Sequence, residues 1–154
     1  MSDQETSRRE FCGITCRALV AGGAAALLQA CGGGGGVSGP SDVSPLPVVN
    51  GTVAGTTVTV AVDGTGLAAS GGAALVQSTG GIFLVSRSGD TFIALSSTCT
   101  HQQCTVSGIS GQRYVCPCHG STYSFSGQVQ SGPAPRSLAT HATSFADGVL
   151  TIAR

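Results

Sequence analysis

CTHQQC at residues 99–104 and CPCHGSTY at residues 116–123 hold four of the seven cysteines and two of the three histidines. The first box reads Cys99-x-His101-x-x-Cys104 and the second Cys116-x-Cys118-His119. Each offers one thiolate and one imidazole at short range, with a second cysteine left over. A tetrahedral Cys₂His₂ zinc site is one chemistry for such a set, but its ligand pairs are usually more widely spaced and two thiols would be unexplained. Attached haem needs C-x-x-C-H, and Cys116-Pro117-Cys118-His119 is one residue short. A cysteine nucleophile with His101 or His119 as base leaves the other cysteines without a role.

A fourth chemistry is a [2Fe-2S] cluster on which two histidines replace two cysteines at one iron. The two boxes closely resemble those of the Rieske family, C-T-H-x-G-C and C-P-C-H-G-S, and GPAPRSL (residues 132–138) resembles that family's Pro-rich loop over the cluster. The resemblance covers the chain from about Val48 to the C-terminus. It implies a [2Fe-2S] cofactor with Cys99 and Cys116 on the inner iron and His101 and His119 on the outer iron at the protein tip. It also implies a Cys104–Cys118 disulfide bracing the two loops. Ser121 and Tyr123 match positions where high-potential relatives place hydroxyls that donate hydrogen bonds to cluster or ligand sulfur and so raise the potential. Two thiolates with two neutral imidazoles leave the oxidised cluster about neutral, so it accepts an electron more easily than an all-cysteine cluster does. The ranges are about −150 to +300 mV against about −400 mV. The imidazole N–H groups can lose protons, so electron uptake is expected to couple to proton uptake.

The chain departs from the family pattern inside the first box. Gln103 stands in place of the glycine, which predicts a different loop conformation, and Gln102 stands where quinol-oxidising relatives commonly carry an apolar residue. Both make the tip more polar.

Outward from the boxes the chain reads as strands. Val58, Val60 and Val62 alternate with polar neighbours to give one apolar face. Runs at 73–77, 82–86 and 91–95 are divided by Gly80-Gly81 and Ser88-Gly89-Asp90, and Asp147-Gly148 between apolar stretches is a hairpin signal. The expected fold class is all-β, a Rieske-like antiparallel β sandwich or barrel with a small cluster-binding subdomain, over residues 48–154. His141, outside both boxes, is expected on a surface strand. Formal net charge is zero, 9% of residues are charged and there is no lysine, so no basic face exists for nucleic acid.

The N-terminus reads as an address. Ser7-Arg8-Arg9-Glu10-Phe11 ahead of an apolar run from Ala18 to Ala30 resembles a twin-arginine (Tat) export signal. That run is short for a membrane span of about 20 residues. Leu28-Gln29-Ala30-Cys31 resembles a lipobox, which makes residues 1–30 the signal and Cys31 the lipidated first residue of the mature chain. Cys12 and Cys16 then leave with the signal, so the only cysteines in the folded domain are those of the two boxes. Residues 31–47, rich in Gly, Ser and Pro, are expected to be a flexible tether, a segment of about 16 residues spanning roughly 20–25 Å.

The expected protein is a membrane-tethered one-electron carrier, exported by Tat to the periplasmic face of the cytoplasmic membrane, or to the outer membrane if sorted there. Its partners would be a c-type cytochrome or a quinol-oxidising complex, its membrane link a lipid or N-terminal anchor. The alternative is the iron–sulfur subunit of a quinol–cytochrome c reductase or of a molybdenum oxidoreductase such as arsenite oxidase.

Overall fold

The computed structural model describes residues 42–154. The signal, the twin-arginine pair, Cys12, Cys16, Cys31 and the glycine run lie outside the described residues. The described part is built from three sheets.

The base pairs a five-stranded sheet with a four-stranded one. The first takes the order β12 (Thr140–His141), β7 (Thr91–Ser96), β6 (Gly81–Ser88), β5 (Ala73–Ser78), β2 (Val48–Asn50). The second takes the order β13 (Thr143–Ala146), β14 (Val149–Ala153), β4 (Thr57–Ala61), β3 (Thr52–Ala54). Val58, Val60 and Val62 meet Leu150 and Ile152 on one side and Ala74, Val76, Phe83, Val85, Phe92 and Ala94 on the other, as the alternation predicts. Asp147 and Gly148 both take positive φ, 50° and 75°, which is the hairpin geometry that the Asp-Gly pair favours. Ladders are antiparallel except β2 with β5, which is parallel.

The third sheet runs β1 (Ser44–Pro45), β8 (Gly108–Ser110), β9 (Arg113–Val115), β10 (Thr122–Ser124), β11 (Val129–Ser131) and carries the second box between β9 and β10. A second core of Leu46, Leu75, Leu84, Leu95, Val106, Tyr114, Tyr123 and Leu138 joins it to the other face of β5–β7. The middle sheet is therefore covered on both faces, which explains why Ala73–Val76 and Phe83–Val85 are apolar without alternation.

Two expectations change here. The folded part takes in residues that the sequence assigns to the tether: Ser44 and Pro45 pair with Ile109 and Gly108, and Leu46 is buried. An apolar side chain between two prolines looks like linker locally, yet it fills a gap in the second core. His141 does lie on a strand, but its ring is half-buried edge-on to Phe83 at 4.8 Å, and Nδ1 lies 2.9 Å from the Ala153 carbonyl oxygen.

Candidate metal centre

Both boxes are hairpin loops closed in the same way. In the first, β7 runs on through Ser97, and Val106 N–H donates to the Ser97 carbonyl at 2.7 Å. Cys99 N–H then donates to Cys104 O at 2.8 Å and Gln103 N–H to Cys99 O at 2.9 Å. In the second, Cys116 N–H donates to Ser121 O at 2.8 Å and Gly120 N–H to Cys116 O at 3.0 Å. Each cysteine's carbonyl thus accepts from the residue four on, and each cysteine's N–H donates to the carbonyl five on. The residue four on turns left-handed in both loops, with φ of 57° at Gln103 and 70° at Gly120.

The absence of glycine from the first box therefore does not change its backbone. Gln103 takes the left-handed conformation that Gly120 takes in the sister loop, and its side chain is exposed. A non-glycine residue held there costs about 1–2 kcal/mol, partly offset because glycine loosens the unfolded chain by about 0.4–1 kcal/mol. Gln103→Gly is expected to raise the stability of the holoprotein by about 0.5–1 kcal/mol, read as a higher thermal midpoint. An unchanged or lower midpoint would show that the loop carries no such strain.

The loops bring the candidate donors together in two pairs. The thiols of Cys99 and Cys116 are free and buried side by side. The rings of His101 and His119 meet edge to face at 4.8 Å, with His119 exposed and His101 half-buried. Cys104 and Cys118 form a disulfide between the loops, Cα to Cα 6.5 Å. Among the described residues no three His, Cys, Asp or Glu side chains converge on one point as a mononuclear site requires. His101 Nδ1 is buried with no hydrogen-bond partner, a cost of about 1–3 kcal/mol unless a bond to metal satisfies it. A two-iron centre with thiolates on one side and imidazoles on the other fits these donors.

The polar surroundings favour a thiolate. Burial pushes the Cys99 thiol up, but hydrogen bonds from the Tyr123 hydroxyl, the His101 N–H, the Cys116 thiol and the Gln102 N–H outweigh it and hold Cys99 below its ordinary value. Burial raises Cys116, and the neighbouring Cys99 raises it further. The Tyr123 hydroxyl lies 3.3 Å from Cys99 Sγ and accepts from Thr100 N–H at 3.2 Å. Thr100 Oγ1, also 3.3 Å from that hydroxyl, donates its own proton to Arg136 O at 2.7 Å. Burial first, and then Cys99, raise Tyr123, which keeps it a neutral donor. Its single proton is thus left for Cys99 Sγ or Thr100 Oγ1, and the anionic sulfur is the stronger acceptor.

Ser121 is buried, and its Oγ accepts from Ala134 N–H at 3.2 Å, which leaves its own proton free to donate. That contact pins the 132–138 loop against the second box. Gly132 permits it, because a Cβ there would stand 2.6 Å from Ser121 Cα. Thr100 ties the first box to both Tyr123 and the 132–138 loop, a role that the motifs do not announce. Its hydroxyl between Cys99 and His101 is the only signal that the sequence offers.

Comparison with known proteins finds a matching family and a similar fold. A family model described as the Rieske [2Fe-2S] domain matches residues 40–142. The chain is 50% identical over 58 residues to the cytochrome b6-f complex iron-sulfur subunit of a strain of Prochlorococcus marinus, 36% of this chain and 33% of that protein. The matched stretch therefore spans about a third of that curated relative's length. The fold is similar to that of the ferredoxin of carbazole 1,9a-dioxygenase from Nocardioides aromaticivorans IC177, with TM-score 0.50 and 18% identity, covering 70% of this chain and 97% of that chain. The cyanobacterial plasma membrane Rieske protein PetC3 from Synechocystis PCC 6803 aligns with TM-score 0.48 and 30% identity over 53% of this chain and 86% of that chain.

Proposed function

Because the chain belongs to the Rieske [2Fe-2S] domain family, we propose that it is a membrane-tethered carrier of single electrons. Cys99 and Cys116 would hold one iron of the [2Fe-2S] cluster, and His101 and His119 would hold the other. When bound, the cluster supplies a one-electron couple at a potential above that of all-cysteine clusters. The observation that carries this function is a buried pair of free thiols, Cys99 and Cys116, on the same two loops as a pair of touching imidazoles, of which His119 is exposed and His101 half-buried. Burial keeps water from the sulfurs, while the exposed His119 ring offers a partner a short route to the centre. Imidazole N–H groups at the surface can exchange protons with solvent, which couples the potential to pH.

EPR of the reduced, purified protein with a redox titration across pH tests this. A rhombic iron–sulfur signal and a midpoint that falls at alkaline pH are expected, whereas a colourless protein containing zinc would reject the function outright. Within the same titration, Tyr123→Phe is expected to keep the cluster and lower the midpoint by tens of millivolts. One hydrogen bond to a charged sulfur contributes about 1.5–3 kcal/mol, and about 1.4 kcal/mol of difference between redox states corresponds to about 59 mV. An unchanged midpoint would remove Tyr123 from the tuning set.

Ser7-Arg8-Arg9 and the lipobox at Cys31 support Tat export and a lipid anchor on the outer face of the cytoplasmic membrane. The mass of the mature N-terminus decides it, since an unacylated chain retaining residues 1–30 would refute lipidation. A second function, the iron–sulfur subunit of a quinol-oxidising cytochrome complex, is favoured by the name of the relative above. Gln102 and Gln103 weigh against it, because both are exposed at the tip, where a quinone pocket calls for apolar contact. Among the described residues the exposed large apolar side chains, Val43, Val48, Ile82 and Val149, all lie off the two boxes.

A further inference from the structure

We propose that the cleft between the first box and the 132–138 loop is a docking site for an acidic face of the protein's redox partner, with one partner carboxylate seated beside Arg136. The proposal rests on the electron-carrier function and goes beyond it in naming the chemistry of the partner.

The cleft encloses about 520 Å³ and opens next to His101 and Cys99. That is room for one or two side chains of a partner. Thr98, Thr100, Gln103, Arg136 and Ser137 supply most of its polar lining. One cation and a set of hydroxyl and amide groups face it, and no carboxylate does. Arg136 is exposed, and its backbone is held in place by the hydrogen bond from Thr100 to its carbonyl. A guanidinium offers a planar pair of donors that matches a carboxylate.

The rest of the domain is charged so as to present this end to an acidic partner. The described residues carry four arginines and four aspartates, with no lysine or glutamate. Three of the four aspartates, Asp63, Asp90 and Asp147, are exposed at the opposite end of the base, while Asp42 is exposed just before β1 of the third sheet, which also carries Arg113. Asp90 sits in the β6–β7 hairpin and Asp147 in the β13–β14 hairpin, while Val62 N–H bonds to Gly148 O and so places Asp63 beside them. Arg87, 3.4 Å from Asp90, offsets part of that charge. The six residues of β7 separate this end from Ser96 at the cleft by about 20 Å. At the cleft end Arg154 adds a second cation, hydrogen-bonded to Gly80 O and Gly55 O, where the β5–β6 hairpin lies near Ser96 and Ser97. Such a separation of charge orients an approaching partner before contact.

The test uses the full-length reduced holoprotein and two small oxidants, anionic ferricyanide and a cationic cobalt(III) tris-phenanthroline complex. Each takes one electron from the protein and leaves reduced, ferricyanide as ferrocyanide, with no proton or bond exchanged. The readout is the ratio of the two second-order rate constants, in which a shared change of driving force largely cancels. Arg136→Glu is expected to lower the ferricyanide-to-cobalt ratio about tenfold or more at low ionic strength, and the difference to vanish near 1 M salt, where screening acts over about 3 Å. Arg113→Glu makes the same change of net charge on the β8–β9 hairpin and is expected to change the ratio less than about twofold. An unchanged ratio in Arg136→Glu, or equal changes in both variants, overturns the proposal. A wild-type protein with no EPR signal rejects the carrier function and the docking site with it, an outcome separable from a normal signal without charge preference.

Discussion

Cys99→Ser is expected to yield a folded but colourless protein, with iron per chain at least tenfold lower and no reduced-state EPR signal. In the proposed centre each iron takes only two protein ligands, so the loss of one leaves a single anchor. A serine hydroxyl stays protonated at neutral pH, whereas the hydrogen bonds from Tyr123, His101 N–H and Gln102 N–H already favour the Cys99 thiolate. Burial and the neighbouring Cys99 raise Cys116, so binding of metal there works against the proton more than at Cys99. Serine is close in size to the buried cysteine that it replaces, so the change itself removes little packing. Circular dichroism should therefore report an intact β fold. Full iron with an unaltered signal would show that Cys99 is no ligand, and the two-pair assignment would have to be abandoned.

Replacing both Cys104 and Cys118 by alanine is the next largest expected effect. The disulfide closes a separation of 14 residues, and cross-linking a loop of that size contributes about 3 kcal/mol. For a domain of this length a loss of that order lowers the thermal midpoint by about 10–20 °C. The consequence for the centre is larger still, because the bond is the one covalent link between the two loops that bring the four donors together. Each loop keeps its own closing hydrogen bonds, so the variant is expected to assemble the cluster and then lose it. Bleaching of the visible spectrum should run at least tenfold faster than in the wild type at the same temperature. Equal bleaching rates would mean that the loop hydrogen bonds alone hold the tip. Changing both cysteines together avoids a lone thiol at the half-exposed tip.

How much of this is legible in the sequence depends on the range of each interaction. The boxes are readable because their donors lie within short loops that close on themselves: Cys99 N–H reaches Cys104 O, and Cys116 N–H reaches Ser121 O. The alternation of Val58, Val60 and Val62 and the Asp147-Gly148 hairpin are equally local. Leu46 reads as tether because only the remote second core shows that it is needed. His141 reads as a surface residue because Phe83 and Ala153, its contacts, are distant in the chain. Gln103 misleads in the opposite direction. The missing glycine suggests an altered loop, but the closing hydrogen bonds of the first box impose the left-handed turn on whichever residue stands there.

Residue type and spacing over a few positions suffice for the all-β class and for the chemistry of the donors. Tertiary packing alone covers the middle sheet on both faces. It also decided that Thr100 links the first box to Arg136, across 36 residues, and that a cleft with one cation opens beside His101. Those features depend on which strands pair and stack. Contacts between residues far apart in the chain settle that, and no local pattern of polar and apolar residues records them.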